Sequence, residues 1–208
     1  MPGNGSHRSS LTDRLHRKTS ILSLSMDKLN LDKLNLPDPA DNLRLRRWSS
    51  KDVDCVQKAA RDPYIPLVTS IPANCDESQA LAWIGRQNQK ISDGTDMPLC
   101  IAVATTNEAV GMMGIFALQS VVGGSARCGY WVSPEKRGQN ISGRALAIMT
   151  SWAFDAFSID ALELLIEPEN IASICAAESA GYSLHNTLTL QKDIGGRLRD
   201  MVLYIRRK

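Results

Sequence analysis

Apolar residues recur along the chain at two different spacings, which predicts a succession of strands and helices. Residues 43–48 alternate between apolar and basic positions, as in a half-buried strand. The next apolar positions, from Val53 to Ala60, fall on one helical face, and Ser49 or Ser50 can cap that helix. By the same criteria, strands are predicted over residues 99–104, 109–118, 126–132, 162–166, 183–190 and 200–206, and helices over residues 77–91, 141–157 and 171–180. This pattern predicts an α/β (α+β) fold, with one mixed, mostly antiparallel central sheet flanked by helices.

Residues 1–41 lack such periodicity. They are polar and contain a tandem pentapeptide, DKLNL, at residues 27–31 and again at residues 32–36. A five-residue period keeps neither a helical face nor a strand face. We therefore predict a flexible N-terminal extension over residues 1–41 and one domain over residues 42–208. A docking arm or an organelle-targeting leader is the functional alternative for the extension.

Residues 62–73 contain three prolines, which predicts a loop without regular structure. Such a loop is a natural wall for a substrate pocket, and a plain connector is the alternative.

Composition narrows the function classes. A chain of 208 residues with 43% apolar content supports one substantial core. The net charge is only +2 and the basic residues are spread along the chain, so we predict no nucleic-acid partner. The five cysteines form no C-x-x-C pair, which favours a reducing compartment, and the three histidines offer no zinc spacing, so no metal is predicted. No apolar run reaches the ~18 residues of a membrane span, and we expect a cytoplasmic protein without a membrane partner.

The segment from residue 129 to residue 146 combines a strand, a polar turn and a helix. Residues 130–132 favour a strand, Pro134 ends it, and Gly138 and Gly143 free the backbone of the turn. Such a turn points unpaired backbone N–H groups and the positive end of the helix dipole at an anion. The segment therefore predicts a phosphate site, and an ordinary helix N-terminus is the alternative.

Further motifs follow this segment in a characteristic order. They are GYWV at 129–132, PEKRG at 134–138, PEN-x-x-S at 168–173, AESAGY at 177–182 and GRLRDMVLY at 196–204. Over roughly residues 43–206 the chain resembles the GCN5-related N-acetyltransferase (GNAT) superfamily, and within it the branch of the ribosomal-protein N-terminal acetyltransferases. The resemblance implies a sheet in which acetyl-CoA lies at a splayed strand and a phosphate-binding turn.

The resemblance also implies acetyl-CoA as the co-substrate, with its pyrophosphate on the turn and its pantetheine arm along the preceding strand. Lys136 and Arg144 either reach nearby phosphates or are solvated. Asn140 and Ser142 replace small residues of the family pattern. Because asparagine tolerates positive φ, we expect the turn to form with a strain of about 1 kcal/mol. The implied coenzyme-binding residues are Trp131, Val132, Ser133, Arg137, Gly138, Gln139, Asn140, Ile141, Ser142, Gly143 and Asn170.

Asn170 and Ser173 match positions that, in this branch, bind the pantetheine amide and lie near the leaving sulfur. The resemblance implies Ser173 as the acid that protonates the thiolate. Each residue has a structural alternative, because Asn170 can cap a helix and Ser173 can bond to its own helix.

No general base is evident from the pattern. The strand position that often carries a carboxylate in the family falls near Arg127, and a guanidinium cannot accept a proton. Glu167 is the candidate base, with Glu169 and a water relay as alternatives. A covalent route through Cys128 or Cys175 is less favoured than a buried structural role for both.

The acceptor must carry an amine, and a site with only a weak base favours an amine with a low pKa. At pH 7 about a tenth of α-amines are neutral, against about one in 2,500 lysine side chains. We therefore predict transfer of an acetyl group from acetyl-CoA to a protein N-terminal α-amine by direct attack. The alternatives are a non-catalytic acyl-CoA-binding regulatory domain and an acetyltransferase for a small amine or antibiotic. The sequence leaves a homodimer open.

Overall fold

The computed structural model describes residues 30–118 and 124–208, which fold around one seven-stranded sheet. The strands are β1 (Leu43–Arg46), β2 (Met97–Val103), β3 (Ala109–Phe116), β4 (Ser125–Val132), β5 (Ala161–Ile166), β6 (Ser183–Ile194) and β7 (Arg197–Arg207). The helices are α1 (Val53–Ala60), α2 (Ile65–Val68), α3 (Glu77–Ser92), α4 (Ile141–Ala156) and α5 (Ile171–Ser179). No helix in the two described ranges is long and apolar enough to cross a membrane.

The strand order is β1-β2-β3-β4-β5-β7-β6. Every neighbouring pair is antiparallel except β4 and β5, which are parallel. The predicted α/β (α+β) fold with a mixed, mostly antiparallel sheet is confirmed.

Helices cover both faces of this sheet. On one face Leu146 and Met149 of α4 are fully buried against the strands. On the other face three tryptophans pack together: the rings of Trp48 and Trp131 stack with centroids 5.9 Å apart, and Trp83 meets Trp48 edge-on at 5.1 Å. Because both faces are covered, β2 is buried along all but its last residue.

Two helical segments begin with reciprocal caps. The side chains of Ser49 and Asp52 form a capping box just before α1, and those of Asp76 and Gln79 form one at the start of α3. Each box satisfies N–H groups that the first turn leaves unpaired. Ser49, one of the two residues expected to cap α1, caps the short 3₁₀ turn Ser50–Asp52 that leads into it, and α1 itself has no side-chain cap.

The parallel pair β4–β5 is short. Only Ser125, Ala126 and Arg127 of β4 pair with β5, opposite Ala161, Leu162 and Glu163. The strands then separate, although β4 continues to Val132 and β5 to Ile166. This separation is the splayed strand that the family resemblance implies, and it opens the sheet where the candidate site lies.

The segment before β1 differs in part from the flexible extension expected over residues 1–41. Leu31 is only 1% exposed and belongs to the core, and Nε1 of Trp152 donates to the carbonyl of Asn35 at 2.8 Å. Leu31 ends the first pentapeptide, and Leu34 and Leu36 of the second are partly buried against the core, so these leucines hold the segment on the domain. The expectation for residues 1–29 lies outside the described residues, and the division of the chain at residue 41 stays a prediction.

The proline-rich loop contains one helical turn, α2, so the expectation that residues 62–73 lack regular structure is wrong for four of them. Pro66 stands in the first turn of α2, where its missing N–H group is not needed. Asp62 accepts the N–H groups of Tyr64 and Ile65, both at 2.9 Å. The carboxylate thus begins the turn that the prolines were expected to prevent.

The closing strands β6 and β7 are longer than predicted. They extend beyond residues 183–190 and 200–206 to a two-residue turn at Gly195 and Gly196, both with positive φ. Most of their side chains are exposed, so apolar alternation could not mark their ends.

Candidate functional site

Two cavities border the gap where β4 and β5 separate. The turn cavity, of about 510 Å³, is bounded by residues 136–138 and 140–142 and by the start of α5. The hairpin cavity, of about 570 Å³, is bounded by α3, β4, β5 and the β6–β7 hairpin. Both volumes are typical of small-molecule sites. The cavities share the residues that we call the junction: Tyr64, Val68, Tyr130, Trp131, Glu167, Asn170 and Ser173.

The turn between β4 and α4 has the backbone that an anion site requires. Asn140 lies in the left-handed region (φ 50°, ψ 30°), as the sequence predicts, and Gly138 has φ 77°. The first N–H groups of an α-helix have no intrahelical partner, and at the start of α4 no side-chain cap takes its place. In the described ranges, the N–H groups of Gly138, Gln139 and Asn140 also find no acceptor. These donors and the helix dipole fit a pyrophosphate.

Gly143 leaves room for the Asn140 side chain. A Cβ at position 143 would lie 2.5 Å from Oδ1 of Asn140 and 2.4 Å from Oγ of Ser179. Both distances are far below van der Waals contact, so a larger residue must displace the side chains of Asn140 and Ser179, and the Asn140 side chain belongs to the turn.

Replacement of Gly143 by alanine is therefore expected to weaken coenzyme A binding by at least about fivefold. Isothermal titration with coenzyme A measures the change. Gly85→Ala is the matched control, because a Cβ at this position in α3 meets no atom within 4 Å. Equal affinity of the Gly143 variant and the wild type would contradict this view of the turn.

Two basic residues of the turn have structural partners. Arg144 donates to the carbonyls of Asp41 (2.6 Å) and Gln139 (3.1 Å), and Nζ of Lys136 lies 2.9 Å from a carboxylate oxygen of Glu108. The hydrogen bonds of Arg144 thus stabilise the turn. Both side chains have partners within the protein, so neither is the free, solvated charge that was one of the two alternatives.

Arg137 connects the turn to the proline-rich loop. Its Nη2 lies 2.8 Å from Oδ2 of Asp62, whose side chain is 5% exposed. Burial opposes ionisation of this carboxyl, but the N–H groups of Ile65 and Tyr64 and the guanidinium outweigh it, and the pKa of Asp62 is lowered. Asp62 therefore holds the predicted phosphate arginine and the start of α2 at the same time.

Glu167 and Tyr64 form a hydrogen-bonded pair at the junction. The Tyr64 hydroxyl donates to Oε1 of Glu167, and Nε of Arg199 lies 3.9 Å from Oε2. Burial, with the adjacent Glu167 carboxylate, raises the pKa of Tyr64, so the phenol stays a donor. The Glu167 side chain is 11% exposed, which differs from the solvated loop carboxylate that is usual for such a position. The structure thus places an oriented carboxylate between the two cavities.

Asn170, Ser173 and Tyr130 also line the junction. Oδ1 of Asn170 accepts the N–H group of Ser173 at 3.1 Å, so the capping role of Asn170 is confirmed. The Tyr130 hydroxyl donates to the carbonyl of Ser173 at 3.1 Å. Burial raises the pKa of Tyr130 to about 12, which keeps this donor protonated. The first turn of α5 is thereby fixed beside β4.

Most of the residues predicted to hold the coenzyme come together. Those that line the turn cavity are Trp131, Val132, Arg137, Gly138, Asn140, Ile141, Ser142 and Asn170. Ser133, Gln139 and Gly143 do not line it. Ser133 is 2% exposed and its Oγ donates to Glu135 at 2.9 Å. The candidate catalytic residues Ser173 and Glu167 both lie at the junction.

The cysteines considered for covalent chemistry differ from each other. Cys128 is buried, and burial raises the pKa of its thiol to about 12, which disfavours a thiolate nucleophile. Cys175 is exposed, so the expected burial of this residue is wrong. In the two described ranges no group of three His, Cys, Asp or Glu side chains could hold a metal ion.

Asp62, Tyr64 and Arg199 are site residues that sequence reasoning missed. Tyr64 and Glu167 are separated by 103 positions, and no spacing rule connects them. The available signal was that Asp62 and Tyr64 belong to the loop expected to wall a pocket.

Comparisons with known proteins identify the family of this chain. The sequence profile of the acetyltransferase (GNAT) domain matches residues 42–183. An uncharacterised N-acetyltransferase, p20, of Bacillus licheniformis is 26% identical over 164 residues, which are 79% of this chain and 92% of that protein.

Solved structures share the fold. RimJ of Mycobacterium smegmatis, in complex with CoA-disulfide, has a TM-score of 0.68 at 21% identity over 79% of this chain and 81% of its own. RimL, a ribosomal L7/L12 α-N-protein acetyltransferase in complex with coenzyme A, has a TM-score of 0.68 at 18% identity over 83% of this chain and 98% of its own. The chain belongs to the GNAT family of acetyl-CoA-dependent acyltransferases.

Proposed function

We propose that the protein transfers an acetyl group from acetyl-CoA to the α-amine of a protein N-terminus by direct attack. The observation that carries the proposal is the junction, where the turn cavity and the hairpin cavity, which have similar volumes, meet beside Glu167 and Ser173. A donor and an acceptor that enter from the two cavities meet there without a covalent enzyme intermediate.

The turn cavity takes the donor. The N–H groups of residues 138–143 bind the pyrophosphate, and Arg137 supplies the nearby positive charge. The pantetheine arm lies along the main chain of Trp131, Val132 and Ser133. In the described residues, β4 pairs with β5 only as far as Arg127, so the edge of β4 that faces β5 is free beyond this point. Asn170 lies at the far end of this path.

The hairpin cavity takes the acceptor. The amine attacks the thioester carbonyl carbon, a C–N bond forms and the C–S bond breaks. Glu167 accepts the proton that the amine loses, and the Ser173 hydroxyl protonates the departing thiolate and recovers its proton from solvent. Tyr64 orients Glu167 through its hydrogen bond. A water relay to Glu167 gives the same balance.

An α-amine fits this chemistry better than a lysine side chain. Its pKa of about 7.7–8.0 leaves a useful neutral fraction at pH 7, so one hydrogen-bonded carboxylate suffices as base. The likeness to RimL, an α-N-protein acetyltransferase, supports this choice of acceptor class, as does the order of the motifs.

Acetyl-CoA is expected to stabilise the protein against heat and to release free coenzyme A when peptides with a free α-amine are added. Mass spectrometry locates the acetyl group. A peptide with a blocked N-terminus and a free lysine is the control and should react far more slowly. Absence of thermal stabilisation at millimolar acetyl-CoA would overturn the proposal.

A non-catalytic coenzyme-binding domain is the second candidate, favoured by the left-handed Asn140 where the family pattern has a small residue. Glycine at this position removes a strain of about 1 kcal/mol from a turn that is already formed without ligand, so Asn140→Gly is expected to bind coenzyme A at least as tightly as the wild type. If the wild type acetylates peptides and the variant keeps this turnover, the site is catalytic and the second candidate is excluded. If the wild type has no turnover and the double variant Asn140→Gly, Ser142→Ala gains it, the second candidate is favoured.

A homodimer and a cytoplasmic location stay predictions.

A further inference from the structure

The hairpin cavity is lined by more positive than negative groups. Its charged side chains are Lys90, Arg127 and Lys192 against Glu167. Glu167 is already engaged by the Tyr64 hydroxyl and lies near Arg199. An acceptor that enters this cavity therefore meets an excess of cations.

The ion pairs at the cavity do not cancel this excess at the surface. Lys90 is 41% exposed while its partner Asp96 is 16% exposed, and Arg127 is 60% exposed while Glu163, 4.0 Å away, is 23% exposed. In each pair the cation faces solvent and the acid is withdrawn. Lys192 is exposed and forms no ion pair with any residue in the described ranges.

Two aspartates of the β6–β7 hairpin accept backbone hydrogen bonds within the hairpin. The carboxylate of Asp193 accepts the N–H group of Gly196, and that of Asp200 accepts the N–H group of Leu190, both at 2.9 Å. Neither Asp193 nor Asp200 lines the cavity. Arg199 adds a cation that is 44% exposed beside Glu167.

We infer that the acceptor is an N-terminus followed within a few residues by acidic side chains, which Arg127, Lys192 and Lys90 attract to the hairpin cavity. The inference rests on the proposed function and specifies its substrate class. The cations come from α3, β4 and β6, so they surround the cavity and can face successive side chains of an extended peptide. A polyamine or a basic peptide would meet like charges here and is disfavoured. The arginine at position 127 thus acts in acceptor recognition instead of proton acceptance.

The test compares three peptides that share the first two residues and differ at positions three to six, which are acidic, amide or basic. Because the cations are exposed, we expect kcat/KM for the acidic peptide to exceed that of the amide peptide by about tenfold, mainly through KM. The basic peptide should be the poorest. The preference should shrink at 0.5 M salt, where the screening length is only a few ångströms, about 3–5 Å.

The double variant Arg127→Gln, Lys192→Gln is expected to lose most of the preference, so that its kcat/KM values for the acidic and the amide peptide become nearly equal. Arg86→Gln is the matched control, since Arg86 is an exposed cation of α3, one turn before Lys90, that lines neither cavity. Fluorescence anisotropy of a labelled acidic peptide, with coenzyme A present, tests the same contacts without turnover.

The outcomes separate this inference from the proposed function. Equal kcat/KM and equal binding for acidic and amide peptides would overturn the inference and leave the function intact. A higher kcat/KM for the basic peptide or for a polyamine would overturn it as well. A small anionic amine with a higher kcat/KM than every peptide would also overturn it. If no peptide is acetylated, the proposed function fails, and salt-sensitive binding of the acidic peptide alone would still support the charge assignment.

Discussion

Glu167→Gln is expected to lower kcat/KM for a peptide α-amine by about 10²–10⁴-fold, the range of a lost general base. Glutamine keeps the size of the side chain and can still accept the Tyr64 hydrogen bond, but its amide cannot take the proton. Steady-state release of coenzyme A measures the change, and a thermal melt shows whether the fold is kept.

Glu169→Gln is the matched control for this experiment. Glu169 lines the turn cavity but lies outside the junction, so its neutralisation should have a far smaller effect. Tyr64→Phe should fall between the two, because it removes only the bond that orients Glu167. Wild-type turnover in Glu167→Gln, or a larger loss in Glu169→Gln, would assign proton acceptance to water or to Glu169.

Asp62→Ala is expected to have the second large effect, and on two properties at once. The substitution leaves the N–H groups of Tyr64 and Ile65 without their acceptor and Arg137 without its partner, which should reduce the free energy of unfolding by about 2–3 kcal/mol. It also frees the start of α2 and Tyr64, the junction residue that directly precedes this helix, so we expect kcat to fall about 10- to 100-fold. Urea unfolding and steady-state kinetics measure the two effects.

The pH dependence of this stability has a definite sign. The pKa of Asp62 is lowered in the folded protein, so its contribution as a carboxylate is present above the unfolded pKa of about 3.9 and is lost as the pH falls through the folded value. Asp62→Asn keeps one carbonyl acceptor for the N–H groups. The stability difference between the wild type and Asp62→Asn should therefore shrink in acid, and a constant difference from pH 7 to pH 3 would contradict the role of the charge.

The elements that carry the coenzyme were predictable because their signals are local. Pro134, Gly138 and the apolar face of α4 lie within one continuous segment, and the positive φ of Asn140 follows from the preference of a single residue type. The splay between β4 and β5 followed from the family resemblance, since no local pattern marks where two strands stop pairing.

The acceptor side could not be predicted in the same way because its contacts are long-range. Glu167 becomes a partly shielded, oriented carboxylate only when Tyr64 arrives from a loop 103 positions earlier. That loop depends in turn on the pairing of Asp62 with Arg137. The lengths of β6 and β7 were missed for a related reason: their exposed side chains carry no alternation that would show pairing.

A structure with a bisubstrate conjugate, in which coenzyme A is joined through an acetyl bridge to the α-amine of an acidic peptide, tests the central claim most directly. We predict pyrophosphate on the N–H groups of residues 138–143, the bridge at the junction between Glu167 and Ser173, and the peptide in the hairpin cavity. A pyrophosphate bound elsewhere, or a peptide that leaves the hairpin cavity empty, would contradict the account.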